Sequence, residues 1–263
     1  MIHSSTQFTP IHKVWDRLAE LPASRSEESL RYLLEQLGKL LKFHRGWWLG
    51  AFRMRMAPEG DPALGWRPGP IVFLQEHRED ADAYEQELKL FETGDVAETV
   101  VEQLRYSGHF RVKRLRELAS PDYFDSDHFR ARFTDRGFCD SMIVATPINR
   151  HTETYFCFYR MEGQPLFSDD DVALAAYALR GLKWFHRQVL LSFGMLIAES
   201  PLTPTERKVL TLLLTDRSEK QIAIEMRQRP ATTHEYILKV YRKFNIHSRA
   251  GLTALWLGQT PTD

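Results

Sequence analysis

The sequence predicts an α+β domain, an antiparallel sheet flanked by helices, followed by a small all-α domain of four helices. Two pairs of strand-like runs carry the first half of that statement. Phe43 to Met56 is followed by Ile71 to Leu74, and Phe138 to Ile148 by Thr154 to Met161, each pair joined by turn-forming segments. Helical periodicity surrounds both pairs. Beyond residue 199 the strand signals stop and helix-capping sequences follow one another closely, so the domains are read as 1–198 and 199–263.

Composition agrees with a two-domain soluble chain. The 263 residues are 43% hydrophobic and 27% charged, as in ordinary globular proteins. Met1 to Pro10 is polar and no run approaches the length of a membrane span. A cytoplasmic location without membrane association is expected. Cys139 and Cys157 are the only cysteines, and no disulfide is expected.

In chain order, residues 1–23 read as an irregular lead. Ser24-Arg25-Ser26-Glu27 has the form of a capping box. It opens a helix with Leu30, Leu33, Leu34, Leu37, Leu40 and Leu41 on one face. Pro58 to Pro70, rich in Gly and Pro, reads as a loop. Asp80 to Tyr106 is helical, with a break at Gly94, and Phe110 with Val112 suggests a short strand. Ser126 to Asp135 is a helix stopped by Gly137. The last strand alternates Tyr155, Cys157 and Tyr159 against Phe156 and Phe158. Phe167-Ser168-Asp169 opens another helix, its dipole favoured by Asp170 and Asp171. The pattern carries it to about Phe193, roughly 40 Å at ~1.5 Å per residue. Glu199-Ser200-Pro201 reads as a linker.

Capping boxes at Thr203-Pro204-Thr205-Glu206 and Ser218-Glu219-Lys220-Gln221 open the next two helices. Pro230 starts a third and Ser248 caps a fourth. The third has an apolar stripe, Thr233, Ile237, Val240 and Phe244, opposite His234, Glu235, Leu238 and Arg242. Hydrogen-bonding side chains near its N-terminus and cations further along suit a helix that reads base edges and grips phosphates. Residues 202–258 hold ten Lys/Arg against five Asp/Glu, net +5, in a chain that is neutral overall. A basic end therefore sits on an acidic body.

At Leu202-Thr203-Pro204, Glu206-Arg207, Val209-Leu210, Ile222-Ala223, Thr232, Lys243 and Arg249 the segment resembles the LuxR-type (NarL/FixJ-type) helix-turn-helix output domain. The resemblance implies a sequence-specific transcription regulator. Its scaffold helix would start at Ser218, and the helix from Pro230 would enter the major groove of double-stranded DNA. His234, Glu235 and Leu238 take the base-facing positions. Thr232, Lys239, Arg242, Lys243 and Arg249 would hold phosphates, and Arg229 beside Arg227 adds charge at the turn. The departures are Asp216, Arg227-Gln228, Arg229, Thr233, Tyr236 and Asn245, where the family's usual residues differ. One such unit buries little surface, so a homodimer reading half-sites about 10 bp apart is expected. The helix from Asp169 to Phe193 is a candidate seam, unless it only packs on the sheet.

The order of elements in the first domain, with Phe167-Ser168-Asp169-Asp170-Asp171 leading into its last helix, resembles GAF/PAS-like sensor domains. The acidic residues and Lys of a phosphoacceptor receiver are not found in order. An acyl-homoserine-lactone sensor would show Trp-x3-Tyr with Asp-Pro soon after. Asp61-Pro62 stands in the wrong place and no such Trp-Tyr pair exists, which disfavours that ligand. Aromatics remain as candidate walls for a small-molecule effector: Trp48, Phe52, Tyr84, Phe110, Tyr123, Phe138, Tyr155 and Tyr159, with Met142 and with Trp47 and Phe133 nearby. The same residues serve equally as core on half-buried strands. Scattered histidines and the absence of a second His after His234-Glu235 give no metal site, and no phosphate loop or nucleophile elbow is present. Neither a cofactor nor an enzyme activity is expected. A competing reading keeps a small-molecule-binding first domain and lets the helical tail bind a protein rather than DNA.

Overall fold

The computed structural model describes residues 8–54, 56–196 and 202–258. The start of the polar lead and the linker at Glu199-Ser200-Pro201 lie outside the described residues. The chain forms two compact units, Arg31–Lys183, and Met1–Leu30 together with Trp184–Asp263. None of the helices among the described residues is long and apolar enough to cross a membrane.

The chain begins with α1 (Thr9–Glu20) and α2 (Ser26–Leu41). The first corrects the expected irregular lead. Ile11, Val14 and Leu18, spaced i, i+3, i+7, are all buried, and that spacing is itself a helical signal. The capping box expected at Ser24 also fails. Ala23–Arg25 form a 3-10 turn and the helix begins at Ser26. The Ser26 hydroxyl donates to the Ala23 carbonyl at 2.7 Å and Ser29 to Arg25 at 3.0 Å, so these hydroxyls serve carbonyls rather than helix amides. On the leucine face of α2, Leu30, Leu33, Leu34, Leu37 and Leu41 are buried and Leu40 is half-buried.

The first unit is built on a five-stranded antiparallel sheet. Its strands are β1 (Arg45–Arg53), β2 (Trp66–Phe73), β3 (Arg111–Arg114), β4 (Phe138–Asn149) and β5 (Thr152–Met161), in the order β2-β1-β5-β4-β3. Between β2 and β3 run α3 (Arg78–Thr93) and α4 (Glu98–Leu104), and α5 (Asp127–Arg132) precedes β4. Strand β2 starts five residues before the expected Ile71, inside the proline-rich stretch. It is an edge strand, where Pro68 and Pro70 interrupt few ladder bonds. Gly46 is held by packing: a Cβ there would lie 2.7 Å from the Cys157 carbonyl oxygen. Gly94 and Gly137 close α3 and the turn before β4 at positive φ, 79° and 68°, where glycine has no Cβ penalty.

Register sorts the side chains onto two faces. Trp47, Cys157 and Ile143 stand in one cross-strand row, as do Leu49, Tyr155 and Ala145. The adjacent rows, Trp48 with Phe156 and Val144, and Phe158 with Met142, point to the opposite face and are fully buried. Phe43 stacks on Phe158 there at 4.4 Å between ring centroids. The helix α6 (Asp169–Arg180) packs against β3 and β4, and its capping box is formed by Ser168 and Asp171. Asp140 fixes its approach by accepting from the Phe167 amide at 2.9 Å.

The single long helix expected to Phe193 is instead two helices, α6 and α7 (Lys183–Phe193). The break falls at Gly181, the poorest helix former in the run after proline is excluded. In the second unit, α7 is joined by α8 (Pro204–Leu213), α9 (Glu219–Met226), α10 (Pro230–Lys243) and α11 (Arg249–Trp256). Both C-terminal capping boxes are present, and Ser248 accepts from the Gly251 amide at 3.1 Å. Val209, Leu210, Ile222, Ile237, Val240, Phe244 and Leu252 form one core with Leu191 of α7.

The turn after α9 is closed by Arg227 at φ 53°, a left-handed conformation that a residue with a Cβ adopts at a cost. Replacing Arg227 with Gly should stabilise this unit by about 1 kcal/mol. A raised urea midpoint at unchanged slope is the expected reading.

Candidate nucleic-acid interface and cavity

Helix α10 separates its two faces cleanly. Thr233, Ile237, Val240 and Phe244 are fully buried. Arg229, Thr232, His234, Glu235, Leu238, Lys239 and Arg242 are exposed on the outer side. Pro230 sits in the first turn, where a missing N–H costs no helix bond, and Asn245 ends the helix at φ 51°. Placement of the outer residues therefore follows from the apolar stripe alone. His234 Nδ1 lies 3.0 Å from Glu219 of α9, and the Lys239 ammonium sits 5.1 Å from the Tyr236 ring centroid. Thr233, the departure that carries a hydroxyl inward, is 3.5 Å from Gln228 Oε1.

Two of the cations expected on phosphates are engaged within the fold. Lys243 Nζ donates to Glu206 Oε2 at 2.8 Å, joining the end of α10 to the start of α8. Arg249 Nε donates to the Leu213 carbonyl at 2.9 Å, satisfying the C-terminal end of α8. Glu206 is also the capping-box acid of α8, accepting from the Thr203 amide at 2.8 Å. Burial pushes its carboxyl up, but the bonds from Lys243 and Thr203 outweigh burial and hold it below the ordinary carboxylate range. This pairing went unread in the sequence because Glu206 and Lys243 are 37 residues apart.

In the first unit, one face of the sheet and helices α3 and α4 enclose a cavity of about 210 Å³. Of the nine residues expected to wall a pocket, Tyr84, Tyr123, Tyr155 and Tyr159 line it. Trp48 and Met142 lie on the other face of the sheet, one residue out of phase. Phe138 stacks on Tyr159 at 4.4 Å and forms a satellite core with Leu115, Tyr123 and Phe133. Phe110 sits beneath Arg180, and Phe52 is exposed near the end of β1. Trp47 and Phe133 also line the cavity, together with Leu49, Ile71, Val100 and Ile143, which composition did not single out. The signal for the strand residues was the alternation phase set by Tyr155, Cys157 and Tyr159.

The charges at the cavity are paired before any ligand arrives. Asp80 lies between Arg45, at 2.9 Å, and Arg136, and Glu87 pairs with Arg132. His128 bonds through Nδ1 to the Tyr123 hydroxyl at 3.0 Å, and burial, reinforced by Arg132, holds its pKa down, so it is neutral. Burial pushes the Cys157 thiol up to about 12. It is then a buried, protonated sulfur, unsuited to oxidant sensing through a thiolate. Asp61 staples its loop by accepting from the Ala63 and Gly65 amides and from Arg67.

A short scaffold helix, a tight turn and a following helix with a buried stripe and a polar, basic outer face together define a helix-turn-helix unit. Residues 200–256 match the luxR family of bacterial regulatory proteins. The C-terminal segment is thus a LuxR-type helix-turn-helix domain. Over 57 residues, 22% of this chain, the sequence is 37% identical to the "Probable HTH-type transcriptional regulator GfsR" of Streptomyces halstedii. The match spans 24% of that protein, so the chain covers about a quarter of the curated relative's length. Among solved structures, SdiA in complex with octanoyl-rac-glycerol aligns with TM-score 0.49 and 13% identity over 97% of this chain and 95% of that one. Escherichia coli SdiA gives 0.47 and 14% identity over 97% and 99%. The VqsR LBD domain from Pseudomonas aeruginosa gives 0.48 and 13% identity over 68% and 96%.

Proposed function

We propose that the protein is a sequence-specific DNA-binding transcription regulator, active as a homodimer, whose N-terminal domain (residues 1–198, GAF/PAS-like) binds a small-molecule effector. The observation that carries the reading is α10: a fully buried stripe backs an exposed row of Arg229, Thr232, His234, Glu235, Leu238, Lys239 and Arg242. That row supplies base-edge partners near the helix N-terminus and cations beyond. In this reading Lys243 ties α10 to α8 and Arg249 ties α11 to α8, rather than touching phosphates. The cavity between sheet and helices supports the effector role, since apolar pockets with few polar groups hold small organic molecules. The protein works in the cytoplasm and performs no catalysis.

The test is selection of random DNA duplexes by the purified full-length protein at moderate salt, followed by sequencing. An enriched inverted repeat with half-sites about 10 bp apart is expected. Enrichment of nothing, with and without residues 1–198, would favour a tail that binds protein instead. On the selected site, Arg242→Ala should flatten the plot of log affinity against log salt by about 1 unit, because one phosphate contact is lost. An unchanged slope would place Arg242 off the backbone.

A further inference from the structure

Among the described residues, six buried side-chain polar atoms without a hydrogen-bond partner belong to residues lining the cavity of the first unit: Trp66 Nε1, Glu87 Oε1, both amide atoms of Gln103, His128 Nε2 and Arg136 Nε. Buried polar groups normally have partners, so such a cluster needs an explanation. Gln103 stands apart from the rest. It is 3% exposed, and neither its amide nitrogen nor its carbonyl oxygen is bonded. The other four residues reach the cavity with one orphan atom each. Glu87 and Arg136 are already paired through their second ends, and His128 is bonded through its other nitrogen.

The charge pairing argues for a neutral ligand, because an ion entering would leave one of the existing pairs or itself uncompensated. The walls argue for an apolar body: Ala51, Trp66, Phe91, Leu104 and Tyr155 form one cluster there, with Val100 packed against it. Gln103 adds the specific element. A primary carboxamide presents a donor and an acceptor side by side on one edge. Its full complement is another amide edge with N–H and C=O on the same side, as in a lactam, a cyclic imide or a primary carboxamide. Esters and lactones lack the donor, and open-chain secondary amides turn donor and acceptor to opposite sides.

We propose that the cavity takes a neutral, mainly apolar small molecule bearing such a same-side amide edge, and that Gln103 recognises it through two parallel hydrogen bonds. The proposal rests on the reading that this unit binds an effector. It makes Gln103 the specificity-determining residue of the cavity.

Two probes of one skeleton test it, 6-pentylpiperidin-2-one, a lactam, and δ-decalactone, the matching lactone. Binding to the full-length protein would be measured by calorimetry. The lactam should bind the wild type roughly tenfold or more tightly than the lactone, since the lactone leaves the Gln103 carbonyl unpaired. Gln103→Leu should remove that preference and leave lactone affinity within about twofold. Gln103→Glu, which keeps the shape and an acceptor for the lactam N–H, should retain it. Without ligand, Gln103→Leu should melt a few degrees higher, because an unsatisfied buried amide is gone. A lower melting temperature would show the amide already satisfied in the free protein and would overturn the proposal. Equal binding of both probes, or a preference that survives in Gln103→Leu, removes the amide-edge assignment and leaves the effector reading standing. Binding of neither probe up to its solubility limit removes both.

Discussion

Glu153→Ala should lower the stability of the sheet unit by about 3–5 kcal/mol, the range for breaking a buried ion pair by removing one partner. Glu153 is fully buried on β5 and is the hub of four contacts. It accepts from the Gly108 amide at 2.5 Å, from Arg111 at 2.9 and 3.3 Å, and from the Tyr155 hydroxyl at 2.6 Å. Arg111, whose side chain is 5% exposed, would be left with a charge facing the Tyr155 hydroxyl and ring and the His109 carbonyl, none of them anionic. The stranded charge, more than the lost attraction, is what costs. Glu153→Leu combined with Arg111→Met should therefore recover most of the loss, as apolar replacements of a buried pair often do. Urea midpoints of the two single variants and the double variant decide it. A loss under about 1 kcal/mol for Glu153→Ala would show the buried pair to be nearly neutral to the fold. The effect reaches the cavity through Tyr155. Burial, and then the charge of Glu153, raise its hydroxyl well above the ordinary phenol range, so it stays a protonated donor on the cavity wall.

What could be read in advance follows a physical divide between local and distant interactions. Capping boxes at Thr203 and Ser218, the strand pair at Phe138 and Thr154 and the stops at Gly94 and Gly137 depend on neighbours a few residues away, and each appears where its sequence places it. The stripe of α10 is legible for the same reason, and with it the identity of the outer row. The cavity was legible only in part. Aromatic content points to the right half of the chain but cannot choose between Trp47 and Trp48, because one residue of phase decides which face of β1 each occupies. Polar wall residues gave no signal at all. Gln103 and Glu87 sit on helices whose buried faces are otherwise apolar, and only the packed fold shows their burial. The break at Gly181 has the opposite cause: a periodic apolar pattern runs through a weak helix former, and the residue, not the pattern, ends the helix.

Lys243→Met should cost the helix-turn-helix unit about 2 kcal/mol and leave the salt slope of DNA binding unchanged. The stability term follows from Glu206, whose side chain is 6% exposed and would lose the Lys243 ammonium while keeping the Thr203 amide. A mostly buried carboxylate stripped of a charged partner loses about 1–3 kcal/mol, and Met keeps the apolar stem so that packing is not also lost. The unchanged slope follows from geometry, since an ammonium 2.8 Å from a carboxylate is not neutralising a phosphate. Acid titration supplies an independent check. Glu206 has its folded pKa below its unfolded value, so its contribution is complete above the ordinary carboxylate range. That contribution is lost as pH falls through the unfolded and then the folded value. Glu206→Gln should therefore be less stable than the wild type at neutral pH, and the gap should narrow on acidification. If Lys243→Met instead preserves stability and flattens the salt slope by about 1 unit, as Arg242→Ala is expected to do, the ammonium leaves Glu206 for the phosphate backbone on binding and the latch between α8 and α10 opens with it.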